Sequence, residues 1–322
     1  MRLAVTLCLL FIVLGVSSNA LFSWFKNEKI REVKRKVPVV FDLTRFRERG
    51  AIYDVDQDFR GRIYIPDLSH DSIIVLDHSL NYLLTIKNIP TPHSVAFDSE
   101  GFLYVATHRS GRVLKFDKNY KEVKNWDYSL RREHKMIAPV VIRTDSKGNV
   151  YIGDWLAYQV IKVTSRGEYI LTFEAGKIKE RGEFKPHGIA INKDMVLVAD
   201  RGVGSIQTFT HDGEQLGAWY SSSKQFDPLS VRFLGPDLLM VPNYKNGSFH
   251  IFSISGKELE ILAVNGDSPG KILSPTNFVT DKHGYIYVSE LNGDRIQLLD
   301  YQSIIARHNG RVTENNNYKK GK

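Results

Sequence analysis

The sequence predicts an all-β chain closed into a ring, a six-bladed β-propeller with about four strands per blade. Three observations predict it: an apolar triplet that returns six times, central residues spaced 40, 47, 46, 43 and 47 apart, and turn residues rather than helix caps between returns. A period of that size marks propeller blades or helical-pair solenoids. Residue types decide for the former, because the triplets are rich in β-branched and aromatic residues.

The triplets are Ile63-Tyr64-Ile65, Leu103-Tyr104-Val105, Val150-Tyr151-Ile152, Val196-Leu197-Val198, Leu239-Met240-Val241 and Ile286-Tyr287-Val288. Turns such as Asp98-Ser99-Glu100-Gly101 precede them, and each leads into a second apolar run, among them Val113–Phe116, Val160–Val163 and Ile206–Phe209. No interval offers a capped helical stretch of apolar 3.6 periodicity. Two positions past each triplet stand Asp67, Thr107, Asp154, Asp200, Asn243 and Glu290. Short polar side chains there bond their own backbone and set the strand-to-strand turn, a role that Glu290 fits least well. Ring closure leaves only short, protected edges. Either Val37–Leu43 or the chain after Asp300 supplies the closing strand.

The ends read differently. Residues 1–20 carry Arg2, an apolar run from Leu3 to Val16 and the small-residue site Ser18-Asn19-Ala20, the pattern of a secretory signal peptide cut after Ala20. The run falls short of the roughly 20 apolar residues of a membrane helix, so a secreted chain with no membrane span is expected. Residues 21–37 form a basic N-terminal segment, 38–308 the propeller and 309–322 a flexible polar, basic tail. The only cysteine, Cys8, lies in the signal, which excludes a disulfide scaffold and Cys-based zinc fingers. A formal charge of +8 admits an acidic glycan as partner, whereas the signal directs the chain away from cytosolic nucleic acid. A protein or peptide ligand and a monomeric chain are the other expectations. Asn246-Gly247-Ser248 is a glycosylation sequon, so Asn246 is a candidate glycoprotein site.

Each blade also places one residue at the start of the strand expected to line the central channel: Tyr53, His93, Val140, His187, Leu229 and Thr276. Pro-His pairs therefore stand in alternate blades, two and four, and Pro275-Thr276 in blade six. Alternate blades face the axis from directions about 120° apart, the geometry of a three-ligand metal site with an open position. The competing reading makes the histidines strand-start residues bonded to a neighbouring carbonyl or to channel water. No phosphate loop, dinucleotide fingerprint or His-Glu-x-x-His occurs, so the familiar nucleotide and zincin routes lack support.

The repeated Asp-x-x-Gly-x-hydrophobic-Tyr-Val, an Asp turn and then Val/Ile-x-x-Phe resemble the NHL repeat over essentially all of residues 38–300. Lys185–Ile191, Val198–Gly202 and Ser205–Phe209 are similar to secreted NHL repeat-containing proteins and to the peptidyl-α-hydroxyglycine α-amidating lyase domain. The second resemblance implies zinc held by three alternate-blade histidines, with arginine and tyrosine acting on a hydroxyglycine-extended peptide. By position His93 and His187 match two ligands and Thr276 replaces the third. Arg201 matches an arginine, while Leu156 stands nearest the tyrosine position and Tyr158 is displaced from it. A neutral Thr hydroxyl is a poor zinc ligand beside imidazole. The expected role is thus binding of a ligand or partner at a propeller face, non-catalytically. The alternative is an amidating lyase with an altered zinc site, and a structural calcium is the other ion considered.

Overall fold

The computed structural model describes residues 35–45, 47–134, 136–175 and 182–308, which form a six-bladed β-propeller. The signal-peptide reading and the polar tail lie outside the described residues. The first strand, β1 (Val39–Asp42), belongs to the last blade. Blade one holds β2 (Asp56–Gln57), β3 (Ile63–Asp67), β4 (Ser72–Leu76) and β5 (Tyr82–Lys87). Blade two holds β6 (Pro92–Phe97), β7 (Leu103–Thr107) and β8 (Arg112–Phe116), with Glu122 bridging Phe116 where a fourth strand would run. Blade three is β9 (Pro139–Thr144), β10 (Val150–Asp154), β11 (Gln159–Val163) and β12 (Tyr169–Phe173). Blade four is β13 (Pro186–Ile191), β14 (Val196–Asp200), β15 (Ser205–Phe209) and β16 (Gln215–Trp219). Blade five is β17 (Arg232–Phe233), β18 (Leu238–Asn243), β19 (Ser248–Ser253) and β20 (Glu258–Ala263). Blade six is β21 (Pro275–Thr280), β22 (Tyr285–Glu290) and β23 (Arg295–Asp300), completed by β1.

Closure thus falls to the N-terminal candidate: Val39 to Asp42 pair antiparallel with Leu298 to Arg295. The segment after Asp300 instead turns helical over 302–308, its Ile304 and Ile305 packing on the cluster between blades five and six. A second helix, α1 (Tyr128–Glu133), lies in the blade-two interval where none was expected. At six residues, with Leu130 buried, it is too short to show an apolar period. No helix among the described residues is long and apolar enough to cross a membrane.

Each triplet is buried on both sides, because a blade packs between two neighbours. Ile63 and Ile65 face the cluster shared with blade six, whereas Tyr64 between them faces the one shared with blade two. Six such clusters occupy the six interfaces. The Asp-to-Tyr spacing has its own cause. Asp98 Oδ1 accepts the amides of Glu100 and Phe102 to set the turn, and its Oδ2 accepts the Tyr104 hydroxyl at 2.9 Å. Asp145 and Tyr151 repeat this at 3.2 Å. In blades four and five the tyrosine becomes Leu197 or Met240 and the aspartate is absent too, Asn192 and Leu234 opening those turns.

Of the polar residues two past the triplets, Asp154, Asp200, Asn243 and Glu290 also anchor the entry to the innermost strand. Asp154 accepts the amides of Ile137, Ala138, Leu156 and Ala157. Glu290 does the same with a longer reach, accepting the Leu273 amide at 2.7 Å while ion-paired to Arg295.

Candidate functional site

Four innermost strands begin with a β-bulge, which aims the site. In blade two Pro92 pairs with Thr107 and Ser94 with Ala106, leaving His93 as the extra residue. Val140, His187 and Thr276 are the extra residues of blades three, four and six. Proline opens each of these strands, where its missing N–H costs no ladder bond. A bulged residue and its successor leave the strict alternation, so one can face the mouth of the channel and the next its interior.

The successors build a floor. Asp54 is held bidentately by Arg143 at 3.0 Å and also bonds Ser94 and Asn277, while Ser230 bonds Asn277. Arg232 lies 3.7 Å from Asp56 and 3.8 Å from Asp54. Burial opposes the Asp54 charge, but Arg143 and Arg232 outweigh it and hold its carboxyl below the ordinary value. Above this floor the channel opens as a cup of about 430 Å³, within the size range of ligand sites. Tyr53, His93, His187, His108, Trp155 and Arg201 dominate its wall.

Two imidazoles sit side by side in the cup. His93 donates from Nδ1 to the Val140 carbonyl at 2.7 Å, and His187 from Nδ1 to the Leu229 carbonyl at 3.1 Å. Because each Nδ1 faces a carbonyl, it carries the proton, and each Nε2 presents a lone pair. Neither Nε2 has a hydrogen-bond partner among the described residues, and neither is sealed from solvent. The ring centroids lie 5.4 Å apart; Tyr53 stacks on His93 at 4.5 Å and Trp155 meets His187 edge-on at 5.7 Å. Burial lowers the His93 pKa to about 3, with His108 adding to the effect. Burial, then His93 and Arg201, push His187 well below its ordinary value. Both rings are therefore neutral at physiological pH and weak as bases, yet competent as hydrogen-bond acceptors.

Arg201 lies in the cup as its position suggested. Its Nε and Nη2 donate to Asp227 at 2.6 and 2.8 Å. The guanidinium covers Trp155 at 5.5 Å and Tyr244 at 5.6 Å. Tyr158 does not line the cup: it is exposed at φ 57° with its hydroxyl turned towards Glu183. Trp155 is the residue that its turn sends inward. Thr276 is buried, its Oγ1 2.8 Å from Ser289 Oγ and 3.3 Å from the Ile52 carbonyl, and it does not line the cup. Asn246 lies in the turn between β18 and β19.

The three-ligand zinc arrangement does not fit these residues. Thr276 is committed to Ser289, and no group of three His, Cys, Asp or Glu side chains among the described residues could hold a metal ion. The third imidazole of the cup is His108, 5.4 Å from His93, with a buried Nδ1 that lacks a partner. Sequence reasoning passed over it and Trp155, although a signal exists. Both stand directly after the turn-setting residue of their blades, in the column Leu68, His108, Trp155, Arg201, Tyr244, Leu291.

A larger cleft of about 580 Å³ lies off the axis beside Arg47 and His70. Its charged groups satisfy one another, Asp67 pairing with Arg47 and His70 and Asp294 with Arg47, so the cup is the better candidate.

No protein-family model matches the chain, and no curated protein matches it. Solved structures do. Virginiamycin B lyase from Staphylococcus aureus superposes with a TM-score of 0.60 at 13% identity, over 81% of this chain and 98% of that one. A streptogramin B lyase gives 0.58 at 10% identity, over 81% and 96%. A nidogen/laminin complex chain gives 0.55 at 15% identity, over 66% of this chain and 80% of that one. At these identities the likeness is one of fold, the six-bladed propeller.

Proposed function

We propose that this is a secreted, NHL-type propeller that binds a small ligand or the slender end of a protein or peptide partner in the cup, without catalysis. The observation that carries the reading is the pair of neutral imidazoles with protons tied to backbone carbonyls and Nε2 atoms open to the cup. Such a pair accepts hydrogen bonds from hydroxyl, amide or amine groups, and Tyr53 and Trp155 supply apolar walls. Secretion rests on residues 1–20. A nidogen/laminin complex chain that shares the fold lends the partner reading a parallel.

The test is a thermal-shift screen of the purified protein against sugars, amino acids and short peptides. A true cup ligand raises Tm in the parent and has no effect on His187→Ala. Hits that persist unchanged in His187→Ala and Trp155→Ala would refute the assignment of the cup. The amidating-lyase alternative needs a metal that these residues do not group to hold; stoichiometric zinc in the purified protein, lost in His93→Ala, would favour it instead.

A further inference from the structure

We infer that Asn246 carries an N-linked glycan standing on the rim of the cup, which limits the cup to small molecules or slender peptide ends. This rests on the proposed secretion and on the cup as the binding site. The turn after β18 corresponds to the turns that carry His108, Trp155 and Arg201, so Asn246 lies on the same face, and its neighbour Tyr244 packs on Arg201 at the cup wall. Asn246 Oδ1 accepts both the amide of Ser248 at 3.2 Å and its hydroxyl at 2.6 Å. That leaves Nδ2, the atom a glycan attaches to, with no partner among the described residues and not sealed from solvent. Gly247 adopts φ 63°, and a Cβ there would lie 2.7 Å from Asn265 Oδ1 and 2.8 Å from the Ile272 carbonyl, so the turn that presents Asn246 packs closely against both residues. A bulky, hydrated glycan on such a turn sweeps the neighbouring surface.

The experiment expresses the full chain in a eukaryotic secretory host. Intact mass is measured before and after glycosidase, for the parent, Asn246→Gln and Ser248→Thr; the last keeps both the sequon and the hydroxyl that bonds Asn246. A glycan mass present in the parent and in Ser248→Thr but absent in Asn246→Gln is expected. Access is then read with Ser69→Cys on the cup wall, since the sequence's sole cysteine, Cys8, lies in the predicted signal. A small maleimide should label it equally with and without the glycan, and a polyethylene-glycol maleimide several-fold more slowly with it. Unmodified Asn246 in protein secreted and cleaved after residue 20, or equal rates for the bulky reagent, overturns the inference. Neither result touches the ligand screen, so loss of cup binding and loss of the glycan are separable.

Discussion

Acidification should destabilise this protein earlier than carboxylate titration alone explains. His93 and His187 are neutral in the folded state, with the His93 pKa lowered from 6.5 to about 3 by burial. In the unfolded chain each imidazole titrates near its ordinary value. As pH falls below that value, the unfolded state takes up protons that the folded state refuses. Their stabilising contribution is therefore complete above the unfolded pKa and declines as pH drops towards the folded one, by about 1.4 kcal/mol per pH unit for each ring. Between pH 7 and pH 5 the loss from His93 is about 2 kcal/mol, and His187, lowered by burial in the same direction, adds to it. Urea unfolding at several pH values above 5, where few carboxylates titrate, measures it. The double variant His93→Gln, His187→Gln keeps an amide donor for the Val140 and Leu229 carbonyls but removes both titrations. Its stability should decline at least about 2 kcal/mol less over the same interval. Parallel curves for parent and variant would refute the neutral-imidazole account.

Other outcomes follow from packing. Asp54→Asn or Arg143→Met breaks one side of the buried channel-floor network and should cost about 3–5 kcal/mol in urea unfolding, because an uncompensated charge stays buried. Gly188→Ala would set a Cβ 2.4 Å from the Ser230 Cα, a backbone that cannot yield, so Tm should fall by several degrees at about 2–4 °C per kcal/mol. Phe41→Ala, in the closing strand, should cost about 3–5 kcal/mol by calorimetry, whereas Val39→Ala should cost below about 1. Equal effects at the two positions would count against closure through β1.

The architecture was legible in the sequence because every blade is sandwiched between two others, so its strands must be apolar on both faces and the period of about 45 residues stands out. Which segment closes the ring was not legible: Val39–Asp42 and 302–308 both carry apolar residues, and only the register with β23 separates them. Within the site, the Pro-His pairs betrayed the inner ring because proline marks the bulge that turns the histidine to the axis. Tyr158 was a misleading neighbour. Its left-handed backbone turns it outward to Glu183, and Trp155, three positions earlier, takes the inward place. His108 was hidden for a different reason, since it has no proline beside it and no sequence neighbour among the other cup histidines.

The presentation of two lone pairs to the cup is tested most directly by the side-chain nitrogen spectrum of ¹⁵N-histidine-labelled protein followed from pH 8 to pH 5. Both His93 and His187 should stay in the neutral form protonated at Nδ1 throughout, with Nε2 shifting when a cup ligand is added. Rings protonated at Nε2, or titrating near the ordinary value of 6.5, would contradict the account.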